Sequence, residues 1–220
     1  MNRKERVELA GEELWLLAEK AIYWPRHTTL LIADAHFGKA AAYRQLGQPV
    51  PVGTTQANLG VLDTLLSLYR CSQIVFLGDF LHAPESHAPR TLAALHAWRT
   101  RHGALRLVLI RGNHDKRAGD PPPELKIEVV SEPLLMGPFA LQHEPTPHDS
   151  HHVLAGHVHP TVRIQGKGRQ SLRAPCFSLG TDVSLLPAFG AFTGGMNIVP
   201  AAGTRLYLIA DGAVWPLTRT

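Results

Sequence analysis

Five short polar stretches hold the residues best suited to chemistry. They are Asp34-Ala35-His36, Gly78-Asp79-Phe80-Leu81-His82, Gly112-Asn113-His114-Asp115, the single His143, and Gly156-His157-Val158-His159. Carboxylate, amide and imidazole together suit divalent ions of the manganese or iron kind. Asp79 is the centre of this reading. A carboxylate has two oxygens and can hold two cations about 3.5–4 Å apart, so Asp79 is expected to bridge two divalent ions. A Gly-Asp pair alone is ordinary turn chemistry, and a lone loop histidine is usually solvated. The ordered set is what lifts these residues above that background. Two divalent ions would bring four positive charges, of which Asp34 and Asp79 cancel two. The remaining positive field favours a phosphate ester. A water between the ions would supply hydroxide near neutral pH, and the ions would align the phosphate for in-line attack.

Apolar runs must deliver these residues. Thr28–Ala33, Ile74–Leu77 and Leu105–Ile110 read as buried strands, and a polar cluster follows each one. Open α/β sheets place ligands at this carboxyl edge. Asp34 and His36 are two apart, so on an extended tip they would face one side, and His157 and His159 likewise. Gly156 would let the backbone approach a crowded centre. Residues 7–24 read as a hairpin or meander, and Gly38 to Val52 as a loop. A helix capped by Thr54 or Thr55 is expected to run to about Tyr69, and a second from about His87 to Arg101, stopped by Gly103. Short strands follow near 126–130, 134–136, 138–142, 152–155, 161–165 and 171–178. A final hairpin turns at Asp211-Gly212. The front half is α/β with a largely parallel sheet and the back half is β-rich. Pro121–Pro123 is too short for a linker, so residues 1–220 are read as one domain of two packed sheets.

The totals set bounds. The chain has 220 residues, 45% of them hydrophobic, enough for a well-buried core. A net charge of +4 is compatible with an anionic partner without demanding one. Cys71 and Cys176 form no CxxC and read as core thiols in a reducing cytosol. The charged N-terminus, Met1 to Arg6, has no apolar signal core, and no stretch could span a bilayer. The expected location is the cytoplasm.

In order, the five stretches match the signature of the binuclear metallophosphoesterases, and the chain resembles that superfamily from about residue 30 to 160. The resemblance implies an α/β fold, a four-layer αββα sandwich of two mixed sheets flanked by helices. It implies one metal held by Asp34, His36, Asp79 and His159, and another by Asp79, Asn113, His143 and His157. His114 would face the scissile phosphate. One departure is Gln142 before His143, where many members carry glycine. Ala33 to Ala40, Gly47-Gln48-Pro49-Val50-Pro51 and Leu186 to Gly195 also resemble the small bacterial metallophosphoesterases associated with a DNA helicase and a DNA ligase in damage response. That narrower resemblance implies a manganese-dependent phosphodiesterase that nicks DNA, single strands above all, in repair. Iron or zinc would also suit the ligands.

His82 stands where the superfamily often has Asp or Asn. Beside the metals it could contact or protonate the leaving oxygen and favour diesters. Lys39 and Arg44 could meet a nucleic-acid backbone or belong to an ordinary solvated loop. Asp115 could orient His114 or cap the next turn. Thr193-Gly194-Gly195 reads as a tight turn. His148, His151 and His152 read as solvated loop, and His27, His87, His96 and His102 as surface residues. A small-molecule phosphohydrolase acting on cyclic nucleotides or dinucleoside polyphosphates would use the same ligands. A non-catalytic scaffold would have lost some of them.

Overall fold

The computed structural model describes residues 3–50, 53–165 and 171–217. Two mixed β-sheets pack face to face, and helices cover the outer face of the first. The first sheet has seven strands in chain order: β1 (Lys4–Leu9), β2 (Glu12–Leu17), β3 (Ile22–Trp24), β4 (Thr29–Ala33), β5 (Gln73–Leu77), β6 (Arg106–Ile110) and β7 (Ile127–Val130). β1 to β4 pair antiparallel, and β4 to β7 pair parallel.

β4 and β5 are buried at every residue, as a strand covered on both faces must be. Their side chains alternate between two cores. Leu30, Ile32, Ile74, Phe76, Leu107 and Leu109 meet the helices. Leu31, Ala33, Val75, Leu77, Val108 and Ile110 meet the second sheet. Each of these larger side chains, Ala33 aside, contributes roughly 1.5–3 kcal/mol on burial. The helical cover is α2 (Thr54–Leu68), which buries Leu59, Leu62 and Leu65, and α3 (Pro89–Arg101), which buries Leu95 and Trp98. Asp63 of α2 accepts from Arg101 and His102 at the end of α3, clasping the two helices.

The second sheet has nine strands: β8 (Leu134–Met136), β9 (Phe139–Gln142), β10 (His152–Ala155), β11 (Pro160–Gln165), β12 (Ser171–Leu179), β13 (Val183–Leu185), β14 (Met196–Asn197), β15 (Arg205–Ala210) and β16 (Ala213–Leu217). β9, β10 and β13 run parallel, and the rest are mostly antiparallel. Phe139, Leu141, Leu154 and Phe177 point from this sheet into the shared core. Its other face carries a small cluster of Ala140, Val153 and Ala155.

Several local expectations change. Lys39–Gln45 is a helix, α1, not loop. The alanines Ala40, Ala41 and Ala42 favour it, and Gly38 supplies the left-handed residue at its start. Neither Thr54 nor Thr55 caps α2. Gly53 holds that position, and the Thr55 hydroxyl instead accepts from the Gly38 amide at 3.3 Å. α3 begins two residues late because Pro84–His87 forms a 3-10 turn and Ala88 is held extended before Pro89. The short strands β13 and β14 add to those expected. Met1, Asn2, Pro51 and Val52, parts of segments read above, lie outside the described residues. Among the described residues no helix is long and apolar enough to cross a membrane.

Candidate metal centre

The parallel strands end together. Ala33, Leu77 and Ile110 stand in register at the ends of β4, β5 and β6. Gln142 and Ala155 do the same for β9 and β10. The residues that follow each end therefore emerge along two sheet edges, and packing of the sheets brings those edges together. Asp34, Asp79 and Asn113 come from the first edge. His143, His157 and His159 come from the second.

Two groups of ligand-type atoms result. In one, His159 Nε2 lies 3.4 Å from His36 Nε2 and 3.4 Å from Asp34 Oδ1. In the other, His143 Nε2 lies 2.8 Å from Asn113 Oδ1 and 3.0 Å from His157 Nδ1, and Asn113 Oδ1 lies 3.0 Å from that same His157 nitrogen. Asp79 stands between the groups. Its Oδ2 faces His36 Nε2 at 3.8 Å, and its Oδ1 faces His143 Nε2 at 3.5 Å. His157 and His159 thus address different groups, against the expectation that they share a side. The extended tips are also absent. Asp34, His36, Asp79, His157 and His159 all have left-handed backbone, with φ of 53°, 45°, 52°, 66° and 50°. Such a conformation costs a non-glycine residue roughly 1–3 kcal/mol, and strain of this kind clusters at functional sites.

Three glycines make room. A methyl group at Gly78 would overlap the His143 ring, and one at Gly112 would overlap the Asp79 carboxylate. At Gly156 it would stand 2.6 Å from Asp34 Oδ2.

The donor set fits a cation. Asp34 is 0% exposed and Asp79 is 2% exposed, and two buried carboxylates side by side are costly without positive charge. Burial, with the Asp34 charge, holds the Asp79 carboxyl above its ordinary range. Burial drives His36 far below the usual imidazole range, helped by Lys39 and His159, so its ring is neutral with a free lone pair. Burial opposes protonation of His159, but the Asp34 carboxylate outweighs it and the net shift is upward. Two rings are oriented by main-chain carbonyls. His143 Nδ1 donates to Leu77 O at 3.0 Å, and His159 Nδ1 donates to Gly194 O at 3.1 Å. Each bond leaves Nε2 facing the cluster, the usual way a ligand imidazole is aimed. Nothing in the local spacing around Thr193-Gly194-Gly195 signalled that role.

The flanking residues sort as follows. His114 Nδ1 donates to the His82 carbonyl at 2.7 Å, and its Nε2 lies 4.0 Å from Asp79 Oδ2. The His82 ring stacks on His114, with centroids 4.8 Å apart, and its Nδ1 meets His36 Nδ1 at 3.2 Å. Burial, then Lys39 and His114, lower His82 to about 4. The Asp115 carboxylate makes no hydrogen bond to the His114 ring. It accepts from the Gly112 and Leu81 amides, both at 3.0 Å, and ties two site loops together. Lys39 stands close enough for Asp79 and Asp34 to oppose the downward pull of burial on its ammonium. Arg44 instead lines a cavity between α1, α2 and α3 with Arg90 and Thr91. His87, His102 and His152 are not merely solvated: they bond to Ala118 O, Asp63 and Ser184 Oγ.

Fold and cluster together define an α/β sandwich with a His/Asp centre, able to hold metal ions, where its two sheets meet. Among solved structures the chain is similar to the Pseudomonas putida nuclease MPE, at 56% identity and a TM-score of 0.86. The match covers 97% of this chain and 100% of that one, and the chain belongs to that protein's family. No family model matches the chain, and no curated protein does.

Proposed function

We propose that the chain is a binuclear metallophosphoesterase that hydrolyses phosphodiesters of DNA, acting on single strands. The observation that carries this reading is the placement of Asp79, with one carboxylate oxygen turned to each ligand group. The nuclease relative supports nucleic acid as the substrate class. Asp34, His36, Asp79 and His159 would hold one ion, and Asp79, Asn113, His143 and His157 the other. Manganese suits this mixture of imidazole, amide and carboxylate, and iron or zinc would also fit. When bound, the ions would polarise the phosphate oxygens and make a bound water acidic near neutral pH.

The chain's own groups do the rest. His114, anchored through Nδ1, turns Nε2 toward the cluster, where it would face the scissile phosphate. His36, with Nε2 committed to the ligand group, keeps its proton on Nδ1 and donates to His82 Nδ1. His82 must then carry its own proton on Nε2. With its pKa near 4 it is neutral at pH 7, so it serves as a hydrogen-bond donor to a phosphate or leaving oxygen. Lys39 adds positive charge beside the same position. The core shared between the sheets supports reading 1–220 as one domain. A repair role beside a helicase and a ligase, and a cytoplasmic location, rest on the sequence readings alone.

The test is incubation with Mn²⁺ and a single-stranded oligonucleotide, with Asp79→Ala alongside. Cleavage is expected with metal and is expected to vanish with EDTA or with the variant. A wild type that cuts only mononucleotide diesters, or an Asp79→Ala variant that cuts as fast, would overturn the proposal.

A further inference from the structure

A cavity of about 260 Å³ opens beside His159, between the residue 190–195 loop and the β11–β12 pair. A second, of about 160 Å³, opens beside Lys39 and Tyr43. Phe192 lines both. Its side chain is unusual on two counts. It is 61% exposed, and its backbone is left-handed at φ 60°, where a bulky residue is an outlier. The loop that carries it is fixed to the candidate metal centre at both ends. The Gly190 amide donates to Asp34 O at 3.1 Å, and Gly194 O accepts from His159 Nδ1 at 3.1 Å. The Ala191 amide also donates to Asn58 Oδ1 at 3.2 Å. The ring is therefore held out to solvent by anchored backbone.

The first cavity is cationic. Lys20 and Arg173 line it, and no acidic side chain does. Among the described residues Lys20 Nζ bonds Gly190 O, at 3.4 Å, and no carboxylate, and burial lowers its pKa to about 8. Arg173 lies directly across from Arg163 in the β11–β12 pairing. Like charges opposite one another cost stability, and among the described residues neither guanidinium has an ion pair. On the far side of Phe192, Lys39 supplies the charge and no acid lines the cavity.

We propose that Phe192 is a base-stacking platform between two nucleotide subsites astride the metal centre, with the strand's phosphates held by Lys20 and Arg173 on one side and by Lys39 on the other. This rests on the nuclease reading above and names what would read the substrate. A ring standing clear of the surface can stack on an unpaired base, whereas the bases of a duplex are already stacked on each other. Cations lining both cavities, with no acid among the lining residues, suit a phosphate backbone. Single-stranded nucleic acid is the occupant that satisfies both.

The test compares kcat/KM on a single-stranded oligonucleotide with that on bis(p-nitrophenyl) phosphate, a small diester with no base and no neighbouring phosphate. For Phe192→Ala the ratio of the two is expected to fall about tenfold, in line with the loss of one stacked base, and Phe192→Trp is expected to retain it. The preference for single strand over duplex should shrink in the alanine variant. Lys20→Gln with Arg173→Gln should flatten the dependence of oligonucleotide affinity on salt by about 0.7 in log–log slope for each phosphate no longer neutralised. A wild type that cuts the oligonucleotide, with the ratio and the salt slope untouched in these variants, overturns the subsites alone. A wild type that cuts only the small diester overturns the nuclease reading and the subsites with it.

Discussion

At the scale of single residues, the centre depends on how each imidazole is turned. His143 and His159 are aimed by main-chain carbonyls, and His36 by the ring of His82. The His82 carbonyl aims His114, so removing the His82 side chain leaves that bond intact. Its loss also frees the His36 ring, so the readout is a ratio of two substrates, both of which a general loss of site assembly would slow. His82→Ala is expected to lower the ratio of diester to monoester hydrolysis by about tenfold, the worth of one hydrogen bond to a charged group. An unchanged ratio in steady-state assays of both substrate types would defeat that role. Because burial holds the His82 pKa near 4, its ionisation should leave no inflection in the rate profile between pH 6 and 9.

At the scale of elements, much of the arrangement could be read from the chain. Apolar runs ending in Asp34, Gly78-Asp79 and Gly112-Asn113 marked β4, β5 and β6, because strands buried on both faces leave little room for polar residues. What escaped was either short or non-local. α1 has seven residues between two glycine turns and no apolar stripe to announce it. The bond from His159 to Gly194 spans 35 residues, and no spacing rule reaches that far. The left-handed ligand backbones were hidden for a similar reason: residue type favours extended tips, and only tertiary packing overrides it. The α2–α3 clasp gives an element-scale prediction. Burial pushes the Asp63 carboxyl up, but hydrogen bonds from His102 and Arg101 outweigh it, and the net shift is downward. A lowered carboxyl pKa stabilises the fold above the unfolded value, and that support fades as pH falls through the folded one. Asp63→Asn should lower Tm by about 1–3 °C at pH 7, since exposed pairs contribute roughly 0.2–1 kcal/mol. Calorimetry should show the gap closing below about pH 4. A gap that widens on acidification would refute the assignment.

At the scale of the whole molecule, the candidate centre links the two sheets. Asp34, Asp79 and Asn113 belong to one, and His143, His157 and His159 to the other. Divalent ions bound there should raise stability by mass action, about 2.7 kcal/mol at a concentration a hundredfold above Kd. For a chain of this length that is about 5–11 °C in Tm. Mn²⁺ should shift the melting curve upward for the wild type and barely for Asp79→Ala, and an equal shift in both would place the ions elsewhere. The same division has a bearing on biogenesis. During synthesis the first 130 or so residues, which include Asp34, Asp79 and all of β1 to β7, emerge before the second sheet's histidines do. A nascent chain at that stage thus presents only part of the candidate centre. On the proposed function, hydrolysis would begin only with the completed sandwich, and the order of the strands would act as a safety catch.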